Sequence, residues 1–339
     1  MARRATAQDV ADLVGVSRSS VSLVLNGRGE GNISAAKQQA ILEAASQLDY
    51  RPNTLARSLR SRRTSTLGVL TWMGQSGFPQ MLLHTSCERT AAAGFASIWM
   101  DTGQDRDREA QAISSLLDRQ VDAILVVAPE LVEYDPPDAL AGTRTILINC
   151  HDPGLRVTSV VPDEFGGAVR AAQIVTDRGH TRIALLAEAQ PTALREDRVA
   201  GVRAALAQAG LPDPLLVPAV DLRDGATAIR AVLAGPAAPT AVICTRERLA
   251  LATVLVAAEL GLRIPEDLSL ISLEDGEHLA RDLRPAVATI ERPDAAMAEE
   301  AVALLLRELA TDKHTDVRQL SFVCPAHLRG SVATARRDI

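Results

Sequence analysis

Arg18, Ser19, Ser22 and Leu23 fall on one side of a short helical stretch, "SRSSVSLVLNG", with Arg18 and Ser22 one turn apart near its N-terminal end. An arginine so placed can meet guanine O6 and N7 bidentately, and Leu23 can offer apolar contact, as to a thymine methyl. The alternatives are a solvated Arg18 and a Leu23 in the core, although Leu23 sits about 200° round the helix from the apolar Val21. Further on, Arg60, Arg62 and Arg63 are suited to phosphates. Residues 1–63 carry ten basic and five acidic side chains, a charge of +5 in a chain whose total is −6. A basic module for a polyanion, joined to an acidic body, is the arrangement these charges imply.

The elements that must hold those side chains are short. Thr6-Ala-Gln-Asp9 has capping-box spacing, so a helix is expected from Ala7, with Val10, Leu13 and Val14 as its apolar stripe and Gly15 as its left-handed stop. Ser17 can cap a second helix, whose Val21, Val24 and Leu25 face the first until Asn26-Gly27 ends it. Two short helices across so tight a turn make helix-turn-helix geometry. Ser34 can cap a third helix reaching about Leu48, with Ile41, Leu42, Ala45 and Leu48 turned inward. In "YRPNTLARSLRSRRTST", Pro52 fixes the entry, Asn53 can cap, and residues 54–60 allow less than two turns, a length marginal in water unless something holds it.

These residues match a known pattern. T-x-x-D-V-A-x-x-x-G-V-S-x-x-S-V-S-x-V-L-N, followed by "LDYRPNTLARSL" and by "LRGSVA" near the end, closely resembles the lac repressor (LacI/GalR) family of bacterial transcription regulators. The resemblance implies base reading by Arg18, Ser19 and Leu23, phosphate contact or capping by Ser17, Ser20 and Ser22, and a minor-groove wedge at Leu59. With Thr6, Asn26, Asn53, Leu55 and Ala56, these are the residues expected at a double-stranded operator. Val14 replaces the usual Ala before Gly-Val-Ser, and Leu23 stands where relatives often carry a polar reader.

From Leu67 onward the pattern changes. "LGVLTW", "FASIWM", "VDAILVVA" and "RTILIN" read as buried strands, and "RIALLAE", "LLVPAV", "TAVICT" and "DLSLISL" repeat the theme. Helix patterns lie near 80–93, 106–119, 195–209 and 247–260. That alternation implies α/β structure in two doubly wound parallel-sheet subdomains. The resemblance implies a core of periplasmic-binding-protein type whose subdomains exchange chain three times around a ligand cleft. The expected division is 1–50 helix-turn-helix head, 51–63 hinge, 64–161 with 290–322 as one subdomain, and 162–289 with 323–339 as the other.

Ligands of open α/β sheets bind beyond the carboxyl ends of strands. By the resemblance, Arg198 in "EDRVAGVRAAL" aligns with an effector-binding arginine, Glu274 in "LISLED" with an expected Asp, and Asn149 with a pocket position. Arg246 replaces a typical Asn, and Leu222 stands where an aromatic often stacks. Of eight aromatics, Trp72 and Phe78 are those expected near the cleft. If Arg198 and Arg246 both face it without partners, an acidic effector such as a sugar acid or sugar phosphate is expected over a neutral sugar or purine. The alternative for Arg198, Arg246 and Glu274 is a surface or subdomain-bridging ion pair.

Other classes find little support. No G-x-G-x-x-G opens a βα unit, no G-x-x-x-x-G-K-[ST] occurs, and the six histidines show neither H-E-x-x-H nor clustering with cysteine. An enzyme is therefore not expected, and no metal or cofactor is. "GGAVRAA" reads as close packing rather than a phosphate loop. Four scattered cysteines, no signal-like N-terminus and no run of about 18 apolar residues point to a reducing cytoplasm with no membrane span. The expectation is a homodimeric repressor on a near-palindromic operator, answering to a small molecule in the cleft. Alternatives are a DNA-binding dimer with a ligand-independent core, or an enzyme with a DNA-binding head.

Overall fold

The computed structural model describes residues 5–25, 29–50, 63–72, 79–276, 279–311 and 316–336. The chain divides into two units, Met1–Thr64 and Ser65–Ile339. The expected contacts Asn26, Asn53, Leu55, Ala56 and Leu59, together with Phe78, lie outside the described residues.

In the first unit, helices α1 (Ala7–Val14), α2 (Arg18–Leu25) and α3 (Ala35–Gln47) enclose one small core of Val10, Ala11, Val21, Val24, Ile41, Ala44 and Ala45. The capping box forms: the Asp9 amide donates to Thr6 Oγ1 at 3.3 Å and the Thr6 amide to Asp9 Oδ2 at 2.7 Å. Gly15 adopts φ 71°, a left-handed stop that costs glycine little. Two expectations about the core are corrected. Leu13 and Leu42 are exposed, while Ala11 and Ala44 are buried. At 100° per residue each leucine lies about 110° from the centre of its helix's buried face, too far round for a three-helix core to cover. Ser34 precedes α3, but its side chain makes no capping hydrogen bond.

The second unit holds two six-stranded sheets. The first, all parallel, is ordered β11-β5-β4-β3-β1-β2, from β1 (Thr66–Thr71), β2 (Ala96–Asp101), β3 (Ala123–Glu133), β4 (Thr145–His151), β5 (Thr158–Asp163) and β11 (Gln319–Val323). Helices α4 (Gln80–Ala92) and α11 (Asp294–Thr311) supply side chains to the apolar cluster on one face, and α5 (Arg106–Asp118) to the cluster on the other. The second sheet is ordered β12-β10-β9-β8-β6-β7, from β6 (Ile183–Glu188), β7 (Leu215–Ala219), β8 (Ala241–Cys244), β9 (Ser269–Ser272), β10 (Ala288–Ile290) and β12 (Ala326–His327). Only β12, paired with β10, is antiparallel. Helices α6 (Glu164–Thr176) and α7 (Ala193–Gln208) cover one face, and α8 (Leu222–Leu233), α9 (Glu247–Glu259) and the short α10 (Leu279–Asp282) the other.

The chain passes between the sheets three times: after β5, between β10 and α11, and between β11 and β12. At the first passage Asp163 caps α6 by accepting from the Gly166 amide at 2.9 Å. A Cβ on Gly167 would lie 3.0 Å from Ile290 Cγ2 and 3.2 Å from Cys324 Cβ, so this glycine admits the other two passages beside the first. No helix among the described residues is long and apolar enough to cross a membrane.

Candidate DNA-binding face and ligand cleft

On the head, Arg18 and Ser19 are exposed at the start of α2, and Ser22 and Leu23 are half-buried along it. Ser17 caps the helix, its Oγ accepting from the Ser20 amide at 3.1 Å. The same hydroxyl lies 2.7 Å from Ser19 Oγ and 2.9 Å from Ser20 Oγ. Three hydroxyls linked at a helix N-terminus, where the dipole favours negative charge, make a ready seat for a phosphate. Arg18 stands at the first position of that helix, free of the apolar core.

In the second unit the strand ends carry a connected network of charge. Arg246 follows β8 at the N-cap position of α9, where its side chain gives the helix no capping bond. Its guanidinium instead meets three carboxylates: Nε donates to Glu188 at the end of β6, Nη1 to Glu274 after β9 at 3.2 Å, and Nη2 to Glu130 at 2.6 Å. Glu130 belongs to β3 in the other sheet, in the stretch where the pairing register with β4 shifts between Val127 and Val132. Glu274 performs the missing cap, accepting from the Glu247 amide at 3.1 Å. All four side chains keep a quarter or less of their surface exposed. Burial works to raise the Glu188 and Glu274 carboxyls, yet the Arg246 and Arg198 charges outweigh it and hold both below the usual carboxylate range. Arg246, which burial alone would discharge more readily, is raised by the same carboxylates.

Arg198, on α7, joins the network from below. Its Nε donates to Glu164 at 2.8 Å and its Nη1 to the Thr245 carbonyl, while Thr245 Oγ1 donates to Glu188 at 2.5 Å. Arg292, at the second passage between sheets, pairs with Asp294 and donates to the Pro129 carbonyl at 3.1 Å. The case for an acidic effector is thereby corrected: both guanidinium groups are already engaged by carboxylates of the protein, and no uncompensated positive charge waits for an anion.

The other expected cleft residues make contacts of their own. Asn149 is fully buried on β4 at φ 59°, its Nδ2 donating to the Ala128 carbonyl at 3.1 Å and its Oδ1 without a partner. Leu222 is half-buried in the first turn of α8, beside the edge strand β7. Trp72, just beyond β1, is 6% exposed and stacks on Tyr134, ring centroids 6.1 Å apart and planes 19° from parallel. Its Nε1 has no partner. A cavity of about 270 Å³ opens beside this stack, lined also by Thr102, Gln104, Arg106 and Glu109. Glu109 accepts from the Tyr134 hydroxyl at 2.6 Å and from Arg106 Nη1 at 3.0 Å.

Sequence reasoning missed Glu130, Glu188, Glu164, Tyr134 and Glu109. A usable signal existed for two of them, since Glu188 closes the buried run "RIALLAE" and Glu130 follows "ILVVAP", each a carboxylate that ends an apolar run.

A helix-turn-helix head and a two-sheet body of periplasmic-binding-protein type define a DNA-binding regulator. The comparisons with known proteins agree at both ends. Residues 6–53 match the model of the bacterial regulatory proteins, lacI family, and residues 172–332 that of a periplasmic binding protein-like domain. The HTH-type transcriptional repressor PurR of Pasteurella multocida is 29% identical over 311 residues, 90% of this chain and 92% of that protein. PurR of Vibrio cholerae is 29% identical over 315 residues, 91% of this chain and 93% of that protein. A lac repressor dimer bound to operator and the anti-inducer ONPF superposes with TM-score 0.78 at 20% identity, covering 98% of this chain and all of that one. The transcriptional regulator CelR in complex with cellobiose superposes at TM-score 0.66 and 25% identity, covering 97% of this chain and all of that one. This chain belongs to the lacI family of bacterial regulatory proteins, and is a DNA-binding transcriptional regulator, not an enzyme.

Proposed function

We propose that the protein is a cytoplasmic repressor that binds a near-palindromic operator as a homodimer and answers to a small molecule through its two-sheet core. The observation that carries this reading is the capped N-terminus of α2, which presents Arg18 and three linked serine hydroxyls away from the head's core. Residues 1–50 form the head, 51–63 the hinge, 64–161 with 290–322 one subdomain and 162–289 with 323–339 the other; the three chain passages support that division. Thr6, Ser17, Arg18, Ser19, Ser20, Ser22 and Leu23 are the described residues assigned to DNA, joined by Asn26, Asn53, Leu55, Ala56 and Leu59. Trp72, Asn149, Arg198, Arg246 and Glu274, with Leu222 and Phe78, are assigned to the cleft. Enrichment of operator sequences from random duplex DNA by the full chain is the direct test. A two-fold related consensus bound by a dimer is expected, and binding no tighter to the selected sequence than to random DNA would refute the reading.

A second reading, a DNA-binding dimer whose core needs no ligand, is favoured by the Arg246 network, which ties the two sheets together through the protein's own charges.

A further inference from the structure

We propose that Arg246 is a tethered occupant of the inter-subdomain cleft, its guanidinium bridging the two sheets where a free ligand would otherwise have to do so. The inference rests on the two-sheet geometry, and only its regulatory meaning depends on the repressor reading above.

Three observations converge. First, one guanidinium serves carboxylates from both subdomains: Glu130 from the first sheet, Glu188 and Glu274 from the second. Each of Nε, Nη1 and Nη2 has its own carboxylate, so the planar fork is used on all sides. Second, the cleft is closed by apolar contact close to that bridge: Leu131 of β3 and Val161 of β5 pack with Leu194 of α7, and all three are buried. Leu131 is the neighbour of Glu130 in sequence, so the ion bridge and the apolar contact hold the same stretch of β3. Third, the charge balance is one-sided. Arg198 lends its charge to Glu188 and Glu274, yet Arg246 is the guanidinium bonded to all three carboxylates in a place where water is largely excluded, and without it they would repel one another across the cleft. A neutral molecule cannot restore that balance, whereas a planar cation with several donors can.

The closed state is thus written into the chain by the replacement at position 246. Its removal should do two things at once: loosen the cleft and leave an acidic seat of guanidinium shape.

The test uses the full chain without DNA. In the wild type, the amides of residues 128, 130 and 131 and of 273–275 are expected to exchange slowly, and small-angle scattering to report the closed core. Arg246→Ala should speed exchange in those segments by about tenfold or more and enlarge the radius of gyration, because an unbalanced buried charge cluster is left behind. Millimolar methylguanidinium should restore slow exchange and compactness to Arg246→Ala, while sodium at equal ionic strength should not. Glu130→Ala, which leaves every contact within the second sheet in place and removes only the carboxylate that crosses to Arg246, should loosen the same segments; it decides the matter alone if Arg246→Ala does not fold. Unchanged exchange at 128, 130 and 131 and unchanged scattering in Glu130→Ala would overturn the proposal, as would Arg246→Ala restored equally by sodium. Operator binding measured alongside separates the two readings: failure of the wild type to select an operator sinks the repressor function and leaves the exchange result standing.

Discussion

Arg198 donates through Nε to the Glu164 carboxylate at 2.8 Å, and both side chains are at least 95% removed from water. The pair joins α7 to the first turn of α6, the helix that receives the chain as it enters the second sheet. Two ions buried together balance, but one left alone does not: breaking such a pair from one side costs about 3–5 kcal/mol. Arg198→Met should therefore destabilise the core by about that amount in urea unfolding. The double variant Arg198→Met with Glu164→Gln should recover part of the loss, because it leaves no stranded charge. Losses from the two single changes that simply add in the double would show that the pair is not coupled.

The sequence made the backbone of this molecule readable and its charges hard to pair. Buried strands such as "VDAILVVA" and "RIALLAE" carry unbroken apolar runs, and helix caps at Thr6 and Ser17 are local events set by a few neighbouring residues. Arg246 and Glu130 are 116 residues apart, and nothing local marks their meeting. Arg246 was visible as a departure from the family pattern, but whether it faced an anion or a carboxylate of the chain depended on the approach of a strand from the other sheet. The same limit explains Leu13 and Leu42: their spacing suits an amphipathic helix, and only the packed head shows how narrow its core is.

Trp72 offers an optical probe of the cavity beside it. It is one of two tryptophans, and its indole N–H is buried without a partner. A ligand that places an oxygen near that N–H should shift or quench emission, and the change should vanish in Trp72→Phe. A signal that persists in Trp72→Phe would move the ligand toward Trp99. In the same wall, Tyr134→Phe removes the hydroxyl that Glu109 accepts, and should cost about 1–3 kcal/mol, since the buried carboxylate loses a strong donor.

His180 links the end of the chain to the second sheet. One ring nitrogen lies 2.9 Å from Thr240 Oγ1 and the other 3.0 Å from the Ala333 carbonyl. Burial pushes its pKa below the ordinary 6.5, and the nearby Arg178 charge adds to this against the opposing pull of the Ala333 carbonyl. The unfolded chain then binds a proton that the folded chain refuses between the lowered value and 6.5. Stability contributed by neutral His180 should be full above pH 6.5 and fall progressively as pH drops below it. Comparing melting temperatures of wild type and His180→Gln across that range checks the sign: the wild type should lose its margin over the variant on acidification, and a margin that grows instead would refute the assignment.

Arg18 gives the sharpest test of the head. It starts α2, is exposed, and has no role in the three-helix core, so its loss should leave the head folded. If its fork meets guanine O6 and N7, Arg18→Ala should weaken binding to the selected operator by about 1–3 kcal/mol and relax preference at one base position per half-site. Arg63 is expected to act on phosphate alone, so Arg63→Ala should weaken specific and random duplexes alike and make the salt dependence shallower. Thr6→Ala separates scaffold from contact: it removes the hydroxyl of the α1 capping box, and should lower the head's stability by about 1 kcal/mol. If Arg18→Ala reduced affinity for specific and random DNA equally, with its circular dichroism unchanged, Arg18 would be a phosphate contact, and base reading would fall to Ser19, Ser22 and Leu23.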